Sequence, residues 1–236
     1  MPQPMIKVEN IFKSYGFREV FADFTLEFPE GKITAILGPS GCGKTTLLNI
    51  LAGLVKVDRG NVHTTERVSY LFQEPRLLPW LTIHENIDLV LHDKMPQQDR
   101  AEKVKASLSA TGLEDYAECY PAELSGGLKQ RAAMARAFAF EAPLLLMDEP
   151  FKSLDLKTRA DLFESFLALW IKNPRTVVTV THDPKEAVTL GDLIVVLGGK
   201  PVSVSVKREI GVFQTRRGNN AGLITLEQDL YRQLLS

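Results

Sequence analysis

The segment Gly38-Pro39-Ser40-Gly41-Cys42-Gly43-Lys44-Thr45 constrains the fold of this chain more than any other. It fits the pattern G-x-x-x-x-G-K-[ST], and its flanks give the pattern a structural context. The mostly apolar run Lys32–Leu37 before it reads as a buried strand, and Leu47, Leu48, Leu51 and Leu54 after it recur at helical spacing. Glycines let a backbone wrap closely around phosphate with its N–H groups pointing inward, and the helix that follows adds its positive end to the same anion. In such a loop Lys44 reaches the β- and γ-phosphates of a nucleoside triphosphate, Thr45 offers a hydroxyl to Mg²⁺ and Thr46 touches the α-phosphate.

A second apolar run, Leu144–Met147, ends in the adjacent carboxylates Asp148 and Glu149. Beside a phosphate loop, the carboxyl end of a parallel strand is where an acidic group holds the hydration shell of Mg²⁺ and its neighbour orients the attacking water. Asp148 takes the first role and Glu149 the second.

The order of elements completes an α/β reading. Met5–Val8 and Val20–Phe28 look like strands of a small antiparallel layer, with Ser14, Gly16 and the Pro29-Glu30-Gly31 step as turns. Residues 80–141 carry helical signals, including a helix opened by Asp99 and ended near Gly112. Leu156–Trp170 is an amphipathic helix and Val177–Val180 a strand. Asp183, Pro184 and Glu186 then stand where a capping box, with proline at the first helical position, would open another helix. The expected fold is a phosphate-loop NTPase core of RecA-like type, with an antiparallel β subdomain and an inserted helical subdomain. The expected division of a single domain 1–236 is a core with its β layer over about 1–79 and 142–205, a helical subdomain over about 80–141, and a short tail 206–236 that includes one more helix, Leu223–Leu235.

Composition narrows the partners. With 28 basic and 29 acidic side chains the net charge is −1, so no whole-chain basic field draws the protein to nucleic acid or anionic lipid. The two cysteines, Cys42 and Cys119, are too few for a disulfide scaffold or a thiolate zinc cluster and suit a reducing cytosol. The amino terminus does not read as a secretion signal, and no run of about 18 apolar residues offers a spanning helix. Any membrane this protein serves is therefore expected to be crossed by another chain.

The remaining motif is Leu124-Ser125-Gly126-Gly127-Leu128-Lys129-Gln130-Arg131, followed by the alanine-rich helix former Ala132–Ala139. Ser125 and two glycines at a helix start form a second anion cradle, which a lone phosphate loop does not require. With this motif the chain resembles the ABC ATPases, whose signature is LSGGQ or a close variant. Tyr15, Gln73, Ser153-Leu154-Asp155 and His182 follow that family's other motifs in order, so the resemblance covers nearly the whole chain. It implies that Tyr15 stacks on adenine, that Gln73 senses Mg²⁺ and water while linking to a transmembrane partner, and that His182 contacts the γ-phosphate. It further implies that Ser125, Gly126 and Gly127 contact the ATP bound to a second copy, and that Asp155 helps join the two sites of a head-to-tail dimer. The sequence departs from the family at Leu128, where glutamine is common, and at Lys152, where a small residue is usual.

The stretch Gln73–Ile87, with Leu77, Leu78, Pro79 and Trp80, and the cysteine in the phosphate loop resemble the nitrate, sulfonate and taurine importers, a group that includes thiamine-precursor systems. The residues after Lys200 are too few for the extra β domain of sugar and polyamine importers. The resemblance implies an ATPase on the cytoplasmic face of the membrane, working with permease subunits and, through them, a solute-binding protein. If exposed, Trp80 and its neighbours form an apolar patch where a permease helix docks. Cys42, among inward-facing N–H groups near Lys44, is expected to be a reactive thiol that ATP protects from alkylation. The rival readings are a non-transport ABC ATPase of DNA repair or translation and a nucleotide-dependent scaffold without turnover. Repair members interrupt the nucleotide domain with a long coiled coil and translation members carry two nucleotide domains; neither feature is in this sequence. Glu149 and His182 argue against a scaffold.

Overall fold

Burial alternates along the strand Arg18–Phe28: Phe24, Leu26 and Phe28 turn inward while Thr25 and Glu27 face solvent. That period of two is what a sheet with one wet face selects. The computed structural model describes residues 6–152, 154–210 and 221–235, so the expectations placed on Met5 and Ser153 lie outside the described residues. The chain divides into two compact units, one of Met1–Val68, Leu146–Glu149 and Arg175–Ser236, the other of Ser69–Leu145 and Pro150–Pro174.

In the first unit, β1 (Ile6–Tyr15) pairs antiparallel with β2 (Arg18–Phe28) and with β4 (Arg59–His63), giving the order β2-β1-β4. Its larger sheet is built around β3 (Ile33–Leu37), which lies parallel to β7 (Thr176–Thr181) on one side and to β8 (Leu193–Gly198) on the other. Every residue of β3 and β7 is buried, as a parallel sheet covered on both faces requires. β9 (Ser203–Glu209) closes one edge antiparallel to β8, and β6 (Leu144–Asp148) neighbours β7 on the other side. Helices α1 (Lys44–Leu51), α6 (Pro184–Leu190) and α7 (Ala221–Leu235) belong to this unit. On α7, Leu226, Leu230 and Leu234 repeat every four residues and pack with Ala187, Val188, Ile194 and Val196, so the carboxyl-terminal helix is seated on a core rather than free.

The second unit is mainly helical. It holds α2 (Ile83–Asp88), α3 (Gln97–Ala110), α4 (Gly126–Ala139) and α5 (Leu156–Lys172), with β5 (Val68–Leu71) beside the start of β6. Ile83, Ile87 and Leu91 meet Val104 and Leu108 and the alanines Ala132, Ala135 and Ala139 in one buried cluster. Small residues on one face of α4 let its neighbours approach closely. Among the described residues, no helix is long and apolar enough to cross a membrane.

Several local expectations need correction. Ser14 is not a turn residue but part of β1, and the turn falls on Gly16 and Phe17. The helix expected to open at Asp99 begins at Gln97 behind Pro96; proline presets an extended entry and has no N–H to lose there. Glu186 closes no capping box, because its carboxylate accepts a hydrogen bond from the Thr181 hydroxyl instead. Strand β9 runs from Ser203 to Glu209, across the point where a tail was expected to start.

Candidate functional site

In the parallel pair β3–β7, Leu37 stands opposite Thr181, so Gly38 and His182 leave adjacent strands at the same level. Next to them Glu149, the residue after β6, donates its backbone N–H to the Val180 carbonyl at 3.0 Å. Three chain segments thus emerge together at the carboxyl edge of the sheet, where ligands of open α/β folds bind.

Between β3 and α1 the loop is shaped by Gly43, which caps α1 with φ 106°. A side chain there would be strained, and its Cβ would stand 2.8 Å from Val20 Cγ1. The Lys44 side chain is buried and folds back over the loop, its Nζ donating to the carbonyls of Gly38 at 2.7 Å and Pro39 at 3.1 Å. Pro39, Ser40 and Gly41 are exposed, Thr45 is exposed at the first turn of α1, and Thr46 is half-buried. Arg18, which sequence reasoning missed, donates through Nη2 to the Gly41 carbonyl. Together with Pro39, Ser40, Gly41, Cys42 and Lys200 it lines an open cavity of about 930 Å³. No motif marks Arg18; its sole signal is its position just past the Tyr15-Gly16 turn. Cys42 is mostly buried, at the floor of the loop, and lines this same cavity. Tyr15 is half exposed at the end of β1, with Lys13 Nζ 5.4 Å from its ring centroid.

Asp148 is buried at the end of β6. Glu149 adopts φ 44°, a left-handed conformation that costs a non-glycine residue about 1–2 kcal/mol and that characteristically occurs at functional sites. Its Oε1 lies 3.5 Å from His182 Nδ1, and the imidazole is otherwise half exposed. A carboxylate beside an imidazole, in the same unit as a lysine-bearing anion loop, suits activation of water against a phosphoryl group. Thr45 and Asp148 are both hard oxygen donors of the kind Mg²⁺ takes alongside nucleotide phosphates.

The second unit carries the other residues. Ser125 and Gly126 are exposed at the tip of α4, and Ser125 Oγ accepts the N–H of Leu128 at 3.3 Å. Gly127 is there for close approach: a Cβ would meet Thr158 Cγ2 at 2.5 Å. Asp155 caps α5 by accepting from Lys157 N at 3.1 Å and Thr158 N at 3.0 Å. Hydrogen bonds from the Thr158 side chain and backbone hold its carboxyl below the usual carboxylate range. Leu128 is half-buried against the helical core, which gives the departure from glutamine a packing reason, and Lys152 is exposed.

Gln73 is exposed at the head of a loop that ends in Trp80, itself 69% exposed. Two residues that sequence reasoning passed over fix this loop. Arg136 of α4 donates to the carbonyls of Arg76 at 2.8 Å and Pro75 at 2.9 Å, and burial lowers the pKa of its guanidinium. Asn86, fully buried, accepts from Leu78 N at 2.8 Å, and its amide nitrogen reaches the carbonyls of Leu78, Leu81 and Thr82. Arg136 belongs to no motif named above, and Asn86 lies in the Gln73–Ile87 stretch without a role assigned to it.

Comparison with known proteins identifies the family and the fold. A family model described as ABC transporter matches residues 21–152. The chain is 41% identical over 233 residues to an aliphatic sulfonates import ATP-binding protein of Paracoccus denitrificans, covering 98% of this chain and 94% of that one. A protein of the same name from Xanthomonas axonopodis pv. citri is 39% identical, with 95% and 94% covered. Among solved structures, the dimeric bacterial ABC transporter cassette MJ0796 superposes with a TM-score of 0.77 at 32% identity, covering 88% of this chain and 99% of that one. The same cassette in a dimeric post-hydrolysis state with ADP and Pi gives 0.77 at 31% identity, with the same coverage. By its motifs, its fold and these likenesses, the chain belongs to the ABC transporter family, as one of its ATP-binding, ATP-hydrolysing cassettes.

Proposed function

We propose that this cassette powers uptake of a small solute by closing on ATP as a head-to-tail dimer of two copies, docked beneath permease subunits on the cytoplasmic face of the membrane. The observation that supports this is that one chain has two glycine-bearing helix starts, one in each compact unit, and that the second is solvent-exposed at Ser125 and Gly126. In this reading Tyr15 and the loop from Gly38 to Thr46 hold ATP, while Thr45 and Asp148 hold Mg²⁺ with help from Gln73. Glu149 orients the attacking water and His182 meets the γ-phosphate. Ser125, Gly126 and Gly127 close over the nucleotide of the other copy, and Asp155 spans the junction. Mg²⁺ supplies charge neutralisation across the phosphates.

The exposed indole of Trp80, in the loop that Gln73 heads, is the contact offered to the permease. The relatives' names support an organic sulfonate or a similar small oxyanion as cargo, delivered by a solute-binding protein. The test is Glu149→Gln. Losing the group that orients water should lower hydrolysis by about 10²–10⁴-fold and leave ATP binding intact, so that Mg-ATP traps a dimer measurable by light scattering. A variant that stays monomeric with ATP bound would break this reading.

A further inference from the structure

His182 sits between two anchored neighbours, and the anchor is a residue outside the nucleotide-site motifs named above. Thr181, at the end of β7, is buried, and its hydroxyl donates to Glu186 Oε2 at 2.6 Å. Glu186 lies in the first turn of α6 and is itself buried. A threonine hydroxyl has a single proton, so once that proton points at Glu186 the lone pairs are left for other donors. One of them accepts the backbone N–H of Asp183 at 3.1 Å. The relay thus holds the residue before His182 by its side chain and the residue after it by its backbone, with a charge-assisted bond at its root. The imidazole has no comparable restraint of its own: half exposed, it touches Glu149 only at 3.5 Å.

We infer that Glu186 is a positioning residue for hydrolysis, acting through Thr181 and Asp183 to aim His182 at the γ-phosphate. This rests on the role proposed above for His182. A carboxylate at this position does what helix capping would not, because it fixes the strand end as well as the helix start. A misplacement of about 1 Å in a catalytic group costs on the order of 10²-fold in rate, so the relay should show in kcat while nucleotide affinity is set elsewhere, by the phosphate loop.

The experiment measures steady-state hydrolysis of Mg-ATP by the full-length chain and its variants His182→Ala, Glu186→Ala, Glu186→Gln and the double variant His182→Ala/Glu186→Ala. Glu186→Ala should lower kcat on the order of 10- to 100-fold with KM for ATP changed less than about twofold. Glu186→Gln, whose amide oxygen still accepts from Thr181, should recover most of the loss. The double variant should be no slower than His182→Ala alone, since the relay has nothing left to aim. If Glu186→Ala does not fold, Thr181→Val carries the same comparison with the volume kept. Wild-type kcat in the Glu186→Ala variant, or losses that multiply in the double variant, would overturn the inference. Undiminished turnover in His182→Ala would instead overturn the role given to His182, a separable outcome.

Discussion

The two glycine-bearing helix starts of this protein are built in different ways. The Gly38–Thr45 loop is self-contained: Gly43 in the left-handed region turns the chain, and Lys44 is held by the loop's own carbonyls. The Ser125–Gly127 tip is spare. Its serine satisfies a single N–H of its own helix, and Gly126 has no neighbour within 4 Å of a would-be Cβ. A cradle that wraps its ligand binds alone, whereas an exposed tip works only against something brought to it.

Removing the Lys44 charge gives the sharpest test of that contrast. Lys44→Ala should raise the Kd for ATP on the order of 100-fold, near the ~3 kcal/mol upper value of a hydrogen bond to a charged group, while Ser125→Ala should leave it within about twofold. Titration with a fluorescent nucleotide checks both. Next in size is Gly127→Ala, where a methyl placed on Thr158 overpacks the junction of α4 and α5 at a cost of about 1–3 kcal/mol. Its Tm should fall, and adding Thr158→Ser should restore part of the loss; an unchanged Tm would mean the close approach is not structural. Ser125→Ala should lower stability by about 1 kcal/mol through the lost cap, yet reduce hydrolysis far more than that at protein concentrations where dimers form. Equal effects on both would erase the distinction between the two cradles. Smallest in stability is Trp80→Ala, within about 0.5 kcal/mol because the ring is exposed, with its consequence appearing only in transport by the reconstituted complex.

What could be read from the sequence, and what could not, follows the range of the interactions. The β3–loop–α1 unit and the strand before Asp148 were legible because periodicity and glycine placement are local. The helix of Leu156–Lys172 was legible too, from its apolar stripe. Strands β4 and β9 gave no such signal: β4 is mostly exposed on the small layer, and β9 is an edge whose polar and apolar residues alternate only weakly, whereas β8 carries a local one in the apolar run Leu193–Leu197. At the site, motif residues could be named by type and order. Arg18, Asn86, Arg136 and the use made of Glu186 could not, since each acts through a partner distant in sequence or through backbone carbonyls that no residue pattern encodes. Glu186 is instructive: its spacing suggested a cap, and a buried hydroxyl outcompeted the helix start for its carboxylate.

The buried amide of Asn86 has a mechanical corollary. By gripping the backbone of Leu78, Leu81 and Thr82 it ties a stretch without regular structure to the helix it leads into. Pressure applied at the indole of Trp80 would therefore be transmitted with little slack into α2, and from there into the tightly filled interior that α2 shares with the alanine face of α4. The same helix is capped by Ser125, so the tryptophan loop and the serine tip are both fastened to one packed cluster.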